Sequence, residues 1–486
     1  MKNKYYLAID LGATSGRGIL GSVENGKLTT KEIHRFQDPS CEILGTRYWD
    51  AIYIFGQIKE CLRRCRDYPL ESVSIDSWGV DFALLDRYGN LLQNPVHYRD
   101  NRTDGVMEKV FNKVPAKEVY QKTGIERIYF NTLYQLYSLK IKQPKLLEVA
   151  SKLLFMPDLF NYFLTGKMAT EYTIASTSQM LNAVTGEWDR DLLNRLDIDA
   201  DILPEMHNTG SYLQEILPEI KAELGLKTSV KVVLGCSHDT QSALATVCSK
   251  EKDFLFLSSG TWSLFGTRAD KAHIDESSEK YNFTNERALG NTFSFHKNIM
   301  GMWLLEECKR IWGIEDKKEL KYEQIMQSTT TCERFKYIFD VDNPTLVAPD
   351  NMPEAIKALC LNTYGSAPKT RGEIVLSILE SLALKYRLTK EQVENITGKR
   401  YNVLHIVGGG SNNALLNRLT ADCLNIKVVA GPAEATAIGN ILVQAGASYE
   451  NSANGIALHG EDIKIYLPEN PEAWEEVYKK YKTITA

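Results

Sequence analysis

The chain lacks most of the short patterns that mark metal, redox or dinucleotide chemistry. Its nine cysteines contain no C-x-x-C pair and its eight histidines show no H-x-x-x-H spacing, so a dedicated zinc site has no support. The one close pair, Cys61 and Cys65, is one helical turn apart. The odd count, low density and lack of a secretory leader point to reduced thiols in a cytosol. The apolar run after Tyr5 stops at Asp10, too short for a signal segment, and no later stretch reaches 18 uninterrupted apolar residues. There is no basic block, and 57 Lys plus Arg against 62 Asp plus Glu leave a net charge of -5. Neither nucleic acid nor a membrane surface is an expected partner. The G-x-x-x-x-G-K-[ST] phosphate loop is missing, since Gly166-Lys167 and Gly398-Lys399 run into Met168 and Arg400. After the first strand the glycines are Gly12, Gly16 and Gly18, which is not G-x-G-x-x-G. A P-loop NTPase and a Rossmann dehydrogenase are therefore disfavoured.

What is present is the composition of a large globular protein: 486 residues, 43% hydrophobic and 24% charged. Short apolar runs at 5–9, 73–75, 82–85, 230–234, 254–257 and 403–407 read as strands. Between them, 52–65, 131–142, 241–247 and 374–387 read as helices. This alternation indicates an α/β fold with a largely parallel sheet. Glu24-Asn25-Gly26 signals a hairpin. The last helix is expected to start at Asn470 as cap and Pro471 at its first position, with Trp474, Val477, Tyr478 and Tyr481 on its buried face. The strand and small-residue turn at 254–261 echo those at 8–15, as an internal duplication would. The short stretch Ser249 to Asp253 is the expected boundary, giving domains 1–248 and 249–486.

Three turns of small residues stand at strand ends: Asp10 to Arg17, Ser258 to Thr261 and Gly408 to Gly410. Small residues let backbone N–H groups approach a phosphate, and Thr14 and Ser15 add hydroxyl donors. Asp10 could hold Mg²⁺ through water; equally, it could be a turn residue of a plain hairpin. Asp239 follows a strand and a glycine and opens a helix, so it is either a base or a helix cap. The helix dipole would keep it ionised, and a carboxylate of low pKa suffices for phosphoryl transfer. His238 alone fits a hydrogen-bonded structural histidine. Trp78 to Asp81 and Tyr98 to Arg102 mix flat apolar surface with charge, as a sugar site or an ordinary surface loop would.

Together these strings resemble the FGGY carbohydrate kinases of the sugar kinase/actin-like ATPase superfamily. The resemblance runs nearly end to end. It rests on Asp10 to Arg17, Asp76-Ser-Trp-Gly-Val-Asp-Phe82, Tyr98-Arg-Asp-Asn-Arg102, Phe130 to Leu136 and Met156-Pro-Asp158. It continues through Ser237-His-Asp-Thr240, Ser258 to Leu264, Asn298 to Gly301, Leu404 to Gly410 and Ala430-Gly-Pro432. It implies an α/β fold of two actin-like (ribonuclease H-like) domains, with mixed sheets flanked by helices and a ligand cleft between them. The sugar would sit mainly on 1–248 and MgATP mainly on 249–486. The implied activity is ATP-dependent phosphorylation of a ketose at its C1 hydroxyl, L-rhamnulose first, with L-fuculose or xylulose as alternatives. Asp239 matches the family's base and Asp10 its magnesium-linked acid. Ala13, Thr14, Ser15, Gly16, Arg17, Thr261, Glu306 and Gly409 match ATP-binding positions. Gly79, His238, Asp239, Thr240 and Asn298 match substrate positions. Glu306 departs from the family form, which carries Gln there. The resemblance also implies a cytoplasmic monomer or small homo-oligomer. A catalytically silent sugar-binding regulator or an actin-like chaperone ATPase would share the fold, but the chaperone reading leaves Asp239 without a role.

Overall fold

A computed structural model of the chain describes residues 4–24, 27–37, 40–247, 249, 251–446 and 463–485. The chain folds into two compact units. The first comprises Met1–Cys248, Ala269–Phe295 and Ala435–Gly460; the second comprises Ser249–Arg268, His296–Glu434 and Glu461–Ala486.

The sheet of the first unit contains β1 (Lys4–Leu11), β2 (Ser15–Glu24), β3 (Lys27–Gln37), β4 (Leu70–Ser77), β5 (Ser211–Glu215) and β6 (Lys231–Leu234). They lie in the order β5-β6-β4-β1-β2-β3. β1, β2 and β3 are antiparallel neighbours, β1, β4 and β6 run parallel, and β5 is antiparallel to β6. The sheet is thus mixed, not largely parallel, because the first three strands are joined by turns too short for a crossover. Of the hairpin expected at Glu24-Asn25-Gly26, the pair Glu24↔Lys27 is seen; Asn25 and Gly26 lie outside the described residues.

Alternation along β1 sends Leu7, Ile9 and Leu11 into one core and Tyr6 and Ala8 into another. The first core is covered by the helix Ala51–Arg64, which Asp50 caps by accepting from Tyr53 N and which buries Ile54, Ile58, Cys61 and Leu62. The second is covered by the helix Ala435–Gln444 through Ala437, Ile438, Ile441 and Leu442. Burying each Leu or Ile side chain contributes about 1.5–3 kcal/mol.

In the second unit, the strands are β7 (Leu255–Ser259), β8 (Trp262–Ala269), β9 (Thr292–Met300, in this unit from His296 on), β10 (Val403–Val407), β11 (Lys427–Ala430) and β12 (Lys464–Tyr466). Their order is β9-β8-β7-β10-β11-β12. β7 pairs antiparallel with β8 and parallel with β10, β10 is parallel to β11, and β12 is antiparallel to β11. The expected helix at 374–387 is longer, Arg371–Thr397. It opens on a capping box of Thr370 and Glu373 and ends where Gly398 turns left-handed at φ 68. The C-terminal helix does not start at Pro471. A 3₁₀ turn, Glu472–Trp474, comes first and the helix is Glu475–Ile484. Asp422 Oδ1 accepts from Glu469 N at 2.8 Å and Trp474 N donates to Pro471 O at 3.1 Å, so the turn closes before the helix can begin. Trp474, Val477, Tyr478 and Tyr481 are buried as expected.

Candidate active site

In the first unit the strand ends carry acid. Asp10 closes β1 opposite Arg17, which donates to Asp10 Oδ2 from Nε at 2.9 Å and Nη2 at 2.8 Å. The turn between them is tight, with Gly12 N donating to Ser15 O at 2.9 Å. Thr14 is exposed at its tip and Ala13 and Ser15 are half-buried. Gly16 lies under Phe36, where a Cβ would stand 2.2 Å from the ring, so packing alone requires glycine there. Across the parallel ladder Asp10 faces Asp76 at the end of β4. Asp76 is fully buried; its Oδ2 accepts from Asn440 Nδ2 at 2.5 Å and, among the described residues, its Oδ1 has no hydrogen-bond partner. Burial, with the charges of Asp10 and Asp239 added, pushes its carboxyl well above the usual range. From the sequence, Asp76 is named only within a family string and given no role; an aspartate directly after the short run Val73 to Ile75 was the available signal.

β4 also carries the next residues to the base loop. Ser77 N donates to Ser237 O at 2.9 Å, and Ser77 bridges to His238. The loop is held from the other side by Glu171, a buried residue missed at the sequence level. Glu171 Oε2 accepts from Ser237 N at 3.1 Å and Thr173 N at 2.9 Å, and Thr209 Oγ1 donates to Oε1. Thr173 Oγ1 in turn accepts from His238 N at 3.1 Å.

Asp239 then opens the helix Asp239–Leu244, of which His238 is the N-cap residue without a side-chain bond. Asp239 Oδ1 accepts from Thr240 N at 2.5 Å and Thr240 Oγ1 at 3.2 Å; among the described residues its Oδ2 has no partner. One oxygen is anchored and the other is free to accept a proton. The side chain keeps 31% of its surface open, although protein surrounds it on most sides. Burial raises its pKa above the ordinary value, His238 opposes this and Asp10 adds to it. The low pKa expected from the helix dipole is therefore overturned: a six-residue helix does not offset burial near a second carboxylate. A raised value suits a general base better, since proton affinity rises with it.

Gly79 sits in a strained turn. Val80 is β-branched yet left-handed at φ 70, a conformation that costs roughly 1–3 kcal/mol. Val80 N donates to Thr177 Oγ1 at 3.1 Å and Thr132 Oγ1 donates to Val80 O at 2.7 Å, which holds it there. Next to it, Asp81 Oδ2 accepts from Trp49 Nε1 at 2.7 Å, Trp78 Nε1 at 3.0 Å and Tyr98 N at 3.1 Å, while Oδ1 accepts from Gln135 Nε2 at 3.0 Å. Burial outweighs these donors and pushes Asp81 up to about 6. Trp49 stacks on Trp78 at 4.0 Å and on His97 at 4.1 Å between centroids. The segment is thus a largely buried aromatic platform and not an ordinary surface loop.

In the second unit the turns are neutral. Thr261 lies in the β7–β8 turn, where its carbonyl accepts from Gly301 N and Trp303 N, each at 3.2 Å. A Cβ on Gly410 would be 1.9 Å from Ser259 Oγ, so the Gly408–Gly410 turn packs directly on β7. Gly409 faces open space. Glu306, in the first turn of the helix Trp303–Asp316, is half exposed and 3.7 Å from Lys309 Nζ. Tyr322, whose hydroxyl is pushed up to about 12 by burial and then by Glu306, accepts from Asn413 Nδ2 at 2.8 Å. Asn298 is half-buried on β9, in this unit with Thr261, Glu306 and Gly409; Gly79, His238, Asp239 and Thr240 are in the first.

The division of the chain into two parts has a counterpart among known proteins. The N-terminal domain of the FGGY family of carbohydrate kinases matches residues 5–246, and its C-terminal domain matches residues 255–448. The chain belongs to that family. Within it, a rhamnulokinase of Bacteroides thetaiotaomicron is 40% identical over 99% of both chains. A rhamnulokinase of Halalkalibacterium halodurans is 39% identical over 96% of this chain and 100% of its own. Among solved structures, a gluconate kinase from Lactobacillus acidophilus superposes with a TM-score of 0.80 at 20% identity, covering 99% of this chain and 98% of its own. A xylulose kinase from the same organism gives 0.79 at 20% identity, covering 99% and 97%. They share the two-unit actin-like α/β fold.

Proposed function

We propose that the chain transfers the γ-phosphoryl group of ATP to the C1 hydroxyl of L-rhamnulose, giving L-rhamnulose 1-phosphate and ADP in rhamnose catabolism. The observation that carries the chemistry is Asp239, one oxygen fixed by Thr240 and the other unpartnered. The ketose is supported by relatives named rhamnulokinase at 35–40% identity over nearly the whole chain.

In the step, the C1 oxygen bonds to the γ-phosphorus as the bond to the β–γ bridging oxygen breaks, and the proton of the C1 hydroxyl passes to Asp239 Oδ2. Phosphoryl transfer of this kind depends mainly on positioning and charge neutralisation. Gly79, His238, Thr240 and Asn298 orient the sugar. The backbone of Ala13 to Arg17, with Thr261, Glu306 and Gly409, receives ATP. Mg²⁺ fits this chemistry through water: Asp10 stands beside Asp76, whose buried Oδ1 is unpartnered. Among the described residues no group of three His, Cys, Asp or Glu offers a direct cage. Bound there, it would neutralise charge on the phosphates. Among the described residues no helix is long and apolar enough to cross a membrane. A cytoplasmic monomer or small homo-oligomer, with ketose and ATP as partners and neither nucleic acid nor membrane, completes the reading.

The test is ADP release with MgATP across L-rhamnulose, L-fuculose and L-xylulose, with a sugar-free control. The expected result is strong preference for L-rhamnulose. Preference for another ketose moves the specificity, and sugar binding without sugar-dependent turnover overturns the kinase reading.

A further inference from the structure

Glu286 lies far from the base loop in sequence, on the strand Thr284–Ala288, within the segment that returns to the first unit. Its buried Oε2 stands 3.0 Å from His238 Nδ1, an ion-pair contact whose angle does not make a hydrogen bond, and accepts from Gln241 Nε2 at 3.3 Å. Gln241 Nε2 also donates to Ser294 Oγ at 2.6 Å, which fixes the carboxylate's neighbour. His238 Nε2, on the far side of the ring, is 3.5 Å from Asp239 Oδ1. That is too long for a hydrogen bond, so the ring acts on Asp239 through its charge.

We propose that Glu286 is a positioning residue for catalysis, holding His238 as an imidazolium whose Nε2 faces the base. The inference rests on the reading of Asp239 as that base. The charged groups around the ring are Glu286, Asp239 and Glu171. Burial alone would discharge the imidazole; Glu286 first, then Asp239 and Glu171, outweigh it and push the ring up to about 9. The cation in turn limits how far burial and Asp10 raise Asp239. His238 thereby widens the pH range over which Asp239 is ionised.

The experiment is the pH profile of kcat/KM for L-rhamnulose in wild type, Glu286→Gln, Glu286→Asp and Asp239→Asn. In Glu286→Gln the alkaline limb is expected to fall by at least about one pH unit and the acid limb to rise, because each group loses the charge that favours its ionised form. Glu286→Asp, which keeps the charge, should restore part of the width. A folded Glu286→Gln whose profile superimposes on wild type overturns the proposal. If that variant does not fold, an NMR titration of His238 in wild type decides: a midpoint above 8 supports the proposal, and one at or below its ordinary value of about 6.5 overturns it. Asp239→Asn keeps the two readings apart. Near-wild-type turnover there removes the base and this inference with it; loss of turnover with an unmoved Glu286→Gln profile removes only the inference.

Discussion

The two units build the same sheet pattern and fill its strand ends differently. In each, a hairpin strand (β1, β7) runs parallel to a central strand (β4, β10), which is followed by another parallel strand and an antiparallel edge. At the ends of β1 and β4 the first unit places Asp10 and Asp76. At the corresponding ends of β7 and β10 the second places Ser258, Ser259 and then Gly408. One scaffold thus gives a cluster of carboxylates that must be neutralised, and also a set of small neutral turns with open space at Gly409. Fold sets where a turn lies; the residues in it set the chemistry.

The comparison breaks most sharply at Asp239, which has no counterpart in the second unit's turns. Asp239→Asn should keep the fold and lose about 10²–10⁴ in kcat, read by ADP release. Glycine packing tests the two units in parallel. A Cβ on Gly439 would meet the backbone at Ser242 O at 1.7 Å, whereas one on Gly410 meets first the Ser259 side chain, Oγ at 1.9 Å, with Ser259 O farther off at 3.1 Å. Gly439→Ala should cost about 1–3 kcal/mol in denaturant unfolding, since backbone must move. Gly410→Ala should cost less stability and show mainly as a raised KM for ATP.

Asp81 supplies a pH test within the first unit. Its folded value of about 6 lies above the ordinary 3.8, so its contribution to stability falls as pH rises from about 4 through about 6. Tryptophan fluorescence should titrate in that window and lose the step in Asp81→Asn. The smallest effects are the helix caps, one per unit: Asp50→Ala and Thr370→Ala should each cost about 1 kcal/mol, read from thermal melts.

Much of this was legible in the amino-acid order, for local reasons. The strands at 82–85 and 403–407 and the buried face of the last helix follow from side-chain periodicity. The small-residue turns were visible from their composition, and the helix read at 241–247 is there but displaced, at Asp239–Leu244. Long-range partners were not. Asp76 meets Asn440, Ser237 meets Glu171 and His238 meets Glu286, and no local pattern joins such positions. The raised pKa of Asp239 was hidden because burial, which decides it, is a property of the folded unit. The extent of the helix Arg371–Thr397 was misjudged in spite of a usable signal: Gly398 stands where a left-handed cap is required.

The helix Ala435–Gln444 has a consequence for synthesis. It covers Tyr6, Ala8, Ile19 and Leu28, which leave the ribosome long before it does. At about 5–20 residues per second, more than 400 residues must follow, so these side chains wait roughly 20–90 s for their cover. Through that interval the nascent first unit presents a bare apolar sheet face, the kind of surface that holdase chaperones shield and that a stalled or truncated polypeptide would turn into a seed for aggregation.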